Sequence, residues 1–350
     1  MLPSSTCPTP PDLGVGFPRS VSRRFRRTNV APDADAGAAA ASTFRLDVKG
    51  AEIREALTTR GIRTVLLKGP ALARMLYPSP RGRPYSDVDL LVNPATLQQA
   101  EQVLSTAGFR RFEPESAVRQ TDAAVGRAVG AHGAAHGSAW LRERDSFVVD
   151  LHDSLPQCGA PARMVWDALA EHLDVLIVAG VAAETLDRPA SALLVALHAA
   201  HHGPGWGSAL VDLEAALTVF DRGCWEAARD LAVTLHAEEA MGVGLGLSDA
   251  GRALARGLSL PTEPASGTRL RWAGAPWSSS VLETLIGQRG LRMKTMLVWR
   301  VLWPSPDALR RGSALARRGR RGLLAAYAVR LVRLACKLPA AQRARRHDKT

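Results

Sequence analysis

The strongest constraint on this 350-residue chain is a lysine–glycine–proline turn followed by two aspartates inside an apolar run. An apolar segment ends at Lys68-Gly69-Pro70, where a helical pattern begins; proline suits a first helical turn because no N–H is needed there. Asp87 and Asp89 are two residues apart, so a strand places both carboxylates on one face. Such carboxylates repel each other unless a cation lies between them, and Mg²⁺ or Mn²⁺ prefers oxygen ligands. A glycine turn that opens a helix also offers N–H groups to a phosphate, so the pattern indicates nucleotide chemistry.

The positive charge of the chain is concentrated at its C-terminal end. Residues 307–350 contain 13 Lys and Arg against two acidic residues, which accounts for +11 of the formal net charge of +12. The remaining chain is therefore nearly neutral. The net charge describes a basic tail and does not predict a nucleic-acid surface on the rest of the protein.

Cysteine spacing and hydropathy limit the class of protein further. Four widely separated cysteines, with no CxxC pair, argue against structural zinc and against a disulfide framework, and they favour a reducing cytoplasm. The N-terminal residues show no export signal, and no apolar window approaches the ~18 residues of a membrane span. With 46% apolar residues, the chain is expected to be soluble and globular.

Hydrophobic periodicity predicts an α+β fold, with a strand-rich front followed by a helical C-terminal domain. The expected divisions are a disordered leader at 1–44, a first domain at 45–186, a helical domain at 187–306 and a basic amphipathic tail at 307–350. The predicted strands are 62–67, 88–92, 109–112, 138–142, 147–151, 173–178 and 181–186. The predicted helices are 47–60, 70–77, 94–107, 187–202, 208–220, 225–241 and 281–303, with loops at 242–246 and 261–280.

Several ordered motifs resemble the uncharacterised nucleotidyltransferase family of the polymerase-β-like superfamily, over roughly residues 50–220. The matching residues are Leu67-Lys68-Gly69-Pro70-Ala71-Leu72-Ala73, Leu76-Tyr77-Pro78, Arg83, Ser86-Asp87-Val88-Asp89-Leu90-Leu91-Val92, Val149-Asp150-Leu151-His152, His198, His202, Trp206, Asp212 and Leu213. The resemblance implies a small mixed β-sheet core with flanking helices, in which a glycine turn holds a nucleoside triphosphate (NTP).

The same resemblance implies that three carboxylates hold divalent metal ions, Mg²⁺ or Mn²⁺. Asp87 and Asp89 would be the metal pair, and Asp150 the third carboxylate, which can also accept a proton from the attacking hydroxyl. The alternatives are that Asp87 and Asp89 are surface residues on a half-exposed strand and that Asp150 pairs structurally with an arginine. His152 alternates with Asp150 along a predicted strand and should point to the same site. Its role is left open.

The phosphate-binding turn departs from the superfamily pattern. Gly69 is followed by Pro70 where Gly or Ser is usual, and Asp87 lies 18 residues after Gly69 where about a dozen is usual. Lys68 is therefore a candidate for the phosphate contact. Arg83 is a second candidate, because its guanidinium matches phosphate oxygens; as an alternative, it is a solvated loop residue.

The downstream histidines allow more than one interpretation. His198 and His202 lie four apart on one helix face, where packing near Trp206 or hydrogen bonding is favoured over zinc, and a contact with the nucleotide or acceptor is the alternative. Asp212 is expected to cap or pair with one of these histidines. His132 and His136 are expected to be solvated, or to belong to a loop that closes over substrate.

Taken together, these features predict a metal-dependent nucleotidyltransferase that moves NMP from an NTP, such as ATP, to a hydroxyl of a small-molecule, sugar or peptide acceptor. The alternative is a nucleotide-binding or regulatory partner protein of the same fold with little or no turnover. A third possibility is nucleotidylation of RNA bound through the tail. The tail has leucines at helical spacing between basic residues, and packing on the protein itself is favoured over a membrane surface or nucleic acid.

Overall fold

The computed structural model describes residues 32–79, 83–112 and 137–272, followed by scattered positions from 299 onward and a helix at 319–332. Within 32–42 it describes the backbone only. His132, His136 and most of the predicted helix 281–303 lie outside the described residues.

The described strands form one seven-stranded mixed sheet, which confirms the predicted sheet core. The order is β3-β4-β5-β2-β1-β7-β6; the β2–β5 and β1–β7 pairs are parallel, and the other pairs are antiparallel. The strand bounds are β1 Thr64–Leu66, β2 Asp87–Val92, β3 Arg110–Phe112, β4 Gly137–Arg142, β5 Phe147–His152, β6 Leu173–Val178 and β7 Val181–Leu186.

Four α-helices accompany these strands within the described part of the chain up to β7. They are α1 Pro32–Thr58, α2 Pro70–Leu76, α3 Leu97–Thr106 and α4 Ala162–Leu169, with a 3₁₀ turn at Glu143–Asp145. Helix α1 begins well before the predicted Asp47, because an alanine-rich stretch of strong helix formers precedes that residue. Helix α3 begins later than predicted, because the side chain of Asn93 accepts a hydrogen bond from the N–H of Ala95 and stabilises a turn there.

The following region is helical, as predicted. Its helices are α5 Arg188–His202, α6 Gly207–Val219, α7 Arg222–Thr234, α8 Glu238–Leu245, α9 Asp249–Gly257 and α10 Ser266–Trp272. Three details of the prediction were wrong. The single helix 225–241 is divided where His236 adopts a left-handed φ of 51°, and α10 lies within the predicted loop 261–280.

The third error concerns 242–246, which was predicted to be a loop and belongs mostly to α8. Its glycines allow close packing: a Cβ on Gly244 would lie 2.0 Å from the carbonyl oxygen of Ala196 in α5. A Cβ on Gly242 would lie 2.2 Å from the carbonyl oxygen of Pro261. The loop prediction was wrong because glycine, which disfavours a helix, also permits two backbones to approach each other.

The two faces of the sheet bury different hydrophobic cores. Leu66 and Leu90 belong to a core that includes residues of α1 and α3, whereas Leu67 and Leu91 belong to a core shared with α2, α4 and the helical region. Because side chains alternate along a strand, Asp89 faces the same side as Leu91. The carboxylates therefore lie on the sheet face that the helical region covers.

The helix at 319–332 is amphipathic only in part. Leu323, Ala326 and Tyr327 pack against Leu309 and Ala316. The opposite side exposes apolar residues, namely Leu324, Val329 and Val332. Among the residues that the structure describes, no helix combines the length and apolarity needed to cross a membrane.

Candidate active site

Strand register brings a buried and a half-buried carboxylate side by side. In the parallel pair β2–β5, Asp89 is directly opposite Asp150, and Leu91 is opposite His152. His152 Nε2 lies 3.0 Å from Oδ1 of Asp89, a residue that is only 2% exposed. One ligand atom from each of Asp89, Asp150 and His152 can be chosen so that all three lie within 4.8 Å of one another. The predicted direction of His152 is therefore confirmed.

Lys68 supplies a cation to these carboxylates. It follows β1, and its Nζ lies 2.8 Å from Oδ1 of Asp89. The backbone fixes this approach, since the N–H of Leu67 donates to the carbonyl oxygen of Asp89 at 3.0 Å. Burial opposes the charge of Lys68, but attraction to Asp89, and then to Asp87 and Asp150, holds the pKa of Lys68 above its ordinary value.

The three carboxylates differ in their pKa values because they share this cation unequally. Burial would raise the pKa of Asp89, but Lys68 and His152 outweigh it and hold that pKa well below the ordinary range. Burial, followed by repulsion from Asp89 and Asp150, raises the pKa of Asp87 to about 6. Burial and repulsion from Asp89 also raise the pKa of Asp150. One lysine therefore leaves much of the negative charge uncompensated.

Asp150 offers a specific test of whether a metal ion suits this group. Its Oδ1 atom is buried and has no hydrogen-bond partner among the described residues, which is costly for a carboxylate oxygen unless something binds it. Two carboxylates with a neighbouring imidazole are a reasonable ligand set for Mn²⁺, and their oxygens also suit Mg²⁺. The chemistry of the group thus fits the predicted divalent cation, with His152 close enough to join the carboxylates as a ligand.

His152 requires a glycine on the neighbouring strand. Gly137 is its partner in the β4–β5 pair, and a Cβ at Gly137 would lie 2.9 Å from Nδ1 of His152. Any larger residue would displace the imidazole ring from its place beside Asp89. No local pattern indicates this role, because Gly137 ends a glycine- and alanine-rich stretch without clear periodicity.

The Lys-Gly-Pro turn packs against the ring of Tyr85. Gly69 has φ 57° and ψ −116°, a conformation that residues with a Cβ rarely adopt, and a Cβ there would lie 3.4 Å from the Tyr85 ring. The Tyr85 hydroxyl donates to Oδ1 of Asp47 at 2.5 Å, and Arg74 donates to Oδ2 of Asp47 at 3.1 Å. These supporting residues were missed by sequence reasoning, since they are far apart in the chain and carry no spacing signal.

Arg83 and Asp212 form a buried bidentate ion pair. Nε and Nη2 of Arg83 each donate to an Asp212 carboxylate oxygen at 2.7 Å, and the Tyr77 hydroxyl donates to Oδ1 at 2.7 Å. The expectation that Asp212 pairs with a histidine was wrong, because its oxygens are taken up by Arg83 and Tyr77. The Nη1 atom of Arg83 takes no part in this pairing. Burial opposes the charge of Arg83, but Asp212, then Tyr77 and Asp89, raise the pKa of its guanidinium above the ordinary value.

The predicted histidines form a row of rings at the end of α5. The ring centroids of His198 and His202 are 4.6 Å apart, and His202 stacks on Trp206 at 4.7 Å with 20° between the planes. Burial, and then the charge of Lys68, lowers the pKa of both histidines, in the case of His202 to about 4. The expected packing near Trp206 is therefore confirmed for His202, and burial disfavours the charged form of both rings.

Comparison with known proteins gives one family. A family model described as an uncharacterised nucleotidyltransferase matches residues 33–250, which is more than half of the chain. This range contains every site residue described above, from Asp47 to Asp212. A search of curated proteins finds no match.

Proposed function

Because the chain belongs to this uncharacterised nucleotidyltransferase family, we propose that it uses a divalent cation to transfer NMP from an NTP to an acceptor hydroxyl. The observation that carries the proposal is the pairing of Asp89 with Asp150 across β2 and β5, with an unpartnered oxygen on Asp150. Family membership supports transfer from an NTP in general. The metal dependence and the acceptor class are our proposals.

The residues that would hold the cation are Asp89, Asp150 and His152, with Asp87 beside them on the same strand face. When bound, Mg²⁺ or Mn²⁺ supplies charge neutralisation for the phosphates and makes an attacking hydroxyl more acidic. Asp87 was expected to be one of the metal pair, and it remains a proposed ligand. His152 is a further candidate, because its imidazole lies next to Asp89.

The chain's own residues have distinct parts in the proposed reaction. Lys68 and the Gly69 turn bind phosphate oxygens, and Nη1 of Arg83 is a further donor. The acceptor oxygen forms a bond to the α-phosphorus, and the bond from that phosphorus to the pyrophosphate oxygen breaks. Asp150, whose pKa is raised by burial and by Asp89, accepts the hydroxyl proton, and pyrophosphate leaves.

We propose a hydroxyl of a small molecule, sugar or peptide as the acceptor. Outside residues 307–350 the chain is nearly neutral, so its net charge does not favour a nucleic-acid acceptor. Cys158 and Cys224, the cysteines within the described ranges, are free thiols, which is consistent with the proposed cytoplasmic location.

One observation favours a second candidate function, that of a nucleotide-binding or regulatory partner with little turnover. The two predicted phosphate contacts both have partners within the protein, Lys68 with Asp89 and Arg83 with Asp212. For a triphosphate to bind productively, Lys68 at least must leave Asp89 and pair with a phosphate oxygen. A chain that binds nucleotides without making this exchange would not turn over.

Incubation with each α-labelled NTP, Mg²⁺ and a cell extract as the source of acceptor separates the two functions. The proposal predicts label on an acceptor and release of pyrophosphate, both lost in Asp150→Asn. Asp174→Asn is the matched control, because Asp174 is an exposed strand aspartate on β6. Binding without transfer favours the regulatory function, whereas the absence of both binding and transfer contradicts both functions.

A further inference from the structure

Trp206 presents an aromatic face to solvent close to the site. It is 53% exposed, although its ring also stacks on His202 at 4.7 Å. Stacking on one side leaves the other side of the indole available to a planar ligand. A large apolar side chain exposed in this way, beside a site that binds small molecules, is a candidate contact for a ligand ring.

The row of rings connects Trp206 with the phosphate end of the site. His198 contacts His202, and His202 contacts Trp206, so the rings follow one another from α5 to the start of α6. After burial, the positive charge of Lys68 lowers the pKa of both histidines, and the negative charge of Asp89 opposes this for His198, so both rings lie within electrostatic range of Lys68. A ligand with a phosphate at Lys68 could therefore extend along the rings toward Trp206.

The backbone that carries Trp206 is fixed at both ends. Gly203 ends α5 with φ 74°, and any Cβ there would lie 2.5 Å from the Trp272 ring. The indole N–H of Trp272 donates to the carbonyl oxygen of Ala200 at 3.0 Å. On the other side, α6 is anchored through Asp212 to Arg83 and Tyr77. Anchored backbone on both sides of Trp206, together with the stack on His202, reduces the freedom that is lost when a ligand binds to the ring.

We propose that the open face of Trp206 is the stacking platform for the base of the NTP. This inference rests on the proposed function and adds the part of the substrate that Trp206 recognises. Lys68 is the cation proposed to bind phosphate, and the row of rings from His198 to Trp206 offers aromatic faces to the base. Every base has a π-face, so the platform binds all four bases and discriminates weakly between them.

Calorimetric titration of the full chain with ATP, GTP, CTP, UTP and inorganic triphosphate, each with Mg²⁺, tests this inference. Stacking of one base on an aromatic side chain is worth about 5- to 150-fold in affinity. Trp206→Ala should weaken binding of all four NTPs within that range and leave triphosphate binding unchanged, whereas Trp206→Phe should retain most of the affinity. Val233→Ala, an exposed apolar change on α7, is the control and should bind like the wild type.

The outcomes separate the inference from the proposed function. If the wild type binds NTPs and Trp206→Ala binds them equally well, the platform is wrong and the proposed function stands. Equal losses for NTPs and triphosphate would also overturn the platform, because they would reflect a disturbed phosphate site. If the wild type binds no NTP, both the inference and the proposed function are wrong.

Discussion

Lys68 Nζ and Asp89 Oδ1 lie 2.8 Å apart, and the same carboxylate oxygen is 3.0 Å from Nε2 of His152. Asp89 is nearly fully buried, and Asp87 and Asp150 add to the negative charge that Lys68 faces. The lysine that is proposed to bind phosphate is therefore also the main cation that the chain supplies to its carboxylates.

This relationship predicts a stability defect that a metal ion partly corrects. Replacing Lys68 with Met leaves the carboxylates without their cation, which should lower the free energy of unfolding by about 3 kcal/mol. Mg²⁺ should stabilise the variant more than the wild type, because the ion then has no lysine to compete with. Urea unfolding with Mg²⁺ and with a chelator measures both effects.

Lys49→Met is the control, since Lys49 pairs with Asp145 away from the site. If Mg²⁺ stabilises Lys49→Met as much as it stabilises Lys68→Met, the explanation is contradicted.

Asp212 is predicted to position Arg83 for phosphate binding. Asp212→Asn keeps the shape of the side chain but removes the charge from a buried pair, so stability should fall by about 3 kcal/mol. NTP affinity should fall as well, because Arg83 is no longer held by two hydrogen bonds. Tyr77→Phe removes one hydrogen bond to the carboxylate and should cost about 2 kcal/mol.

Urea unfolding and calorimetric titration with ATP measure these two effects. The exposed pair Arg229–Asp230 provides the control, and Asp230→Asn should change neither quantity appreciably. Unchanged ATP affinity in folded Asp212→Asn would show that the ion pair is structural only.

Gly69 is predicted to tolerate no side chain. Alanine at this position must adopt φ 57° with ψ −116°, which should cost about 1–3 kcal/mol of stability. Relief of this backbone strain should shift the turn, so NTP affinity should fall, although the methyl group itself would only contact the Tyr85 ring at 3.4 Å.

Gly180→Ala separates backbone strain from the effect on the site. Gly180 has φ 80° in the β6–β7 hairpin, and a Cβ there would meet nothing within 4 Å. This variant should lose stability and bind ATP normally in the same calorimetric titration. Equal ATP affinity in Gly69→Ala would contradict a phosphate-binding role for the turn.

The half-buried His202 predicts a pH dependence of stability. Burial, and then Lys68 and Arg271, lowers the pKa of His202 to about 4 from its ordinary 6.5. Between these values the unfolded chain binds a proton at His202 that the folded chain does not, so the contribution of His202 to the free energy of unfolding falls as the pH falls from 6.5 to 4. Asp87, whose pKa is raised to about 6, contributes in the opposite direction in both the wild type and the variant. His202→Gln removes this titration, and urea midpoints measured across this window should decline less steeply than in the wild type. A wild-type slope in His202→Gln would refute the prediction.

Period-two alternation was sufficient to predict the main geometry of the site. It placed Asp87 and Asp89 on one face and directed His152 toward Asp150, because side-chain direction in a strand depends only on local spacing. Alternation does not say which helix packs on that face, so the true partner of Asp212 could not be inferred. Tyr77 and Arg83 are more than a hundred residues away from it, and only the packing of α6 against α2 brings them together.

Glycine and loop residues were the least predictable because one residue type serves opposite purposes. Gly69 and Gly180 have positive φ values in turns, whereas Gly244 sits inside a helix where close packing against α5 excludes a side chain. His236 breaks the predicted helix through a left-handed φ, which a histidine adopts too rarely to be expected. Such differences depend on contacts between elements and not on local sequence.

The most direct test of the central claim is a Mn²⁺ titration of the wild type, Asp150→Asn and Asp174→Asn, followed by the electron paramagnetic resonance signal of free Mn²⁺. If Asp89, Asp150 and His152 hold the cation, the wild type and Asp174→Asn should bind Mn²⁺ equally. Asp150→Asn should bind it at least about tenfold more weakly, because a ligand oxygen is replaced by a neutral amide. Equal Mn²⁺ affinity in Asp150→Asn and the wild type would contradict a metal site between β2 and β5.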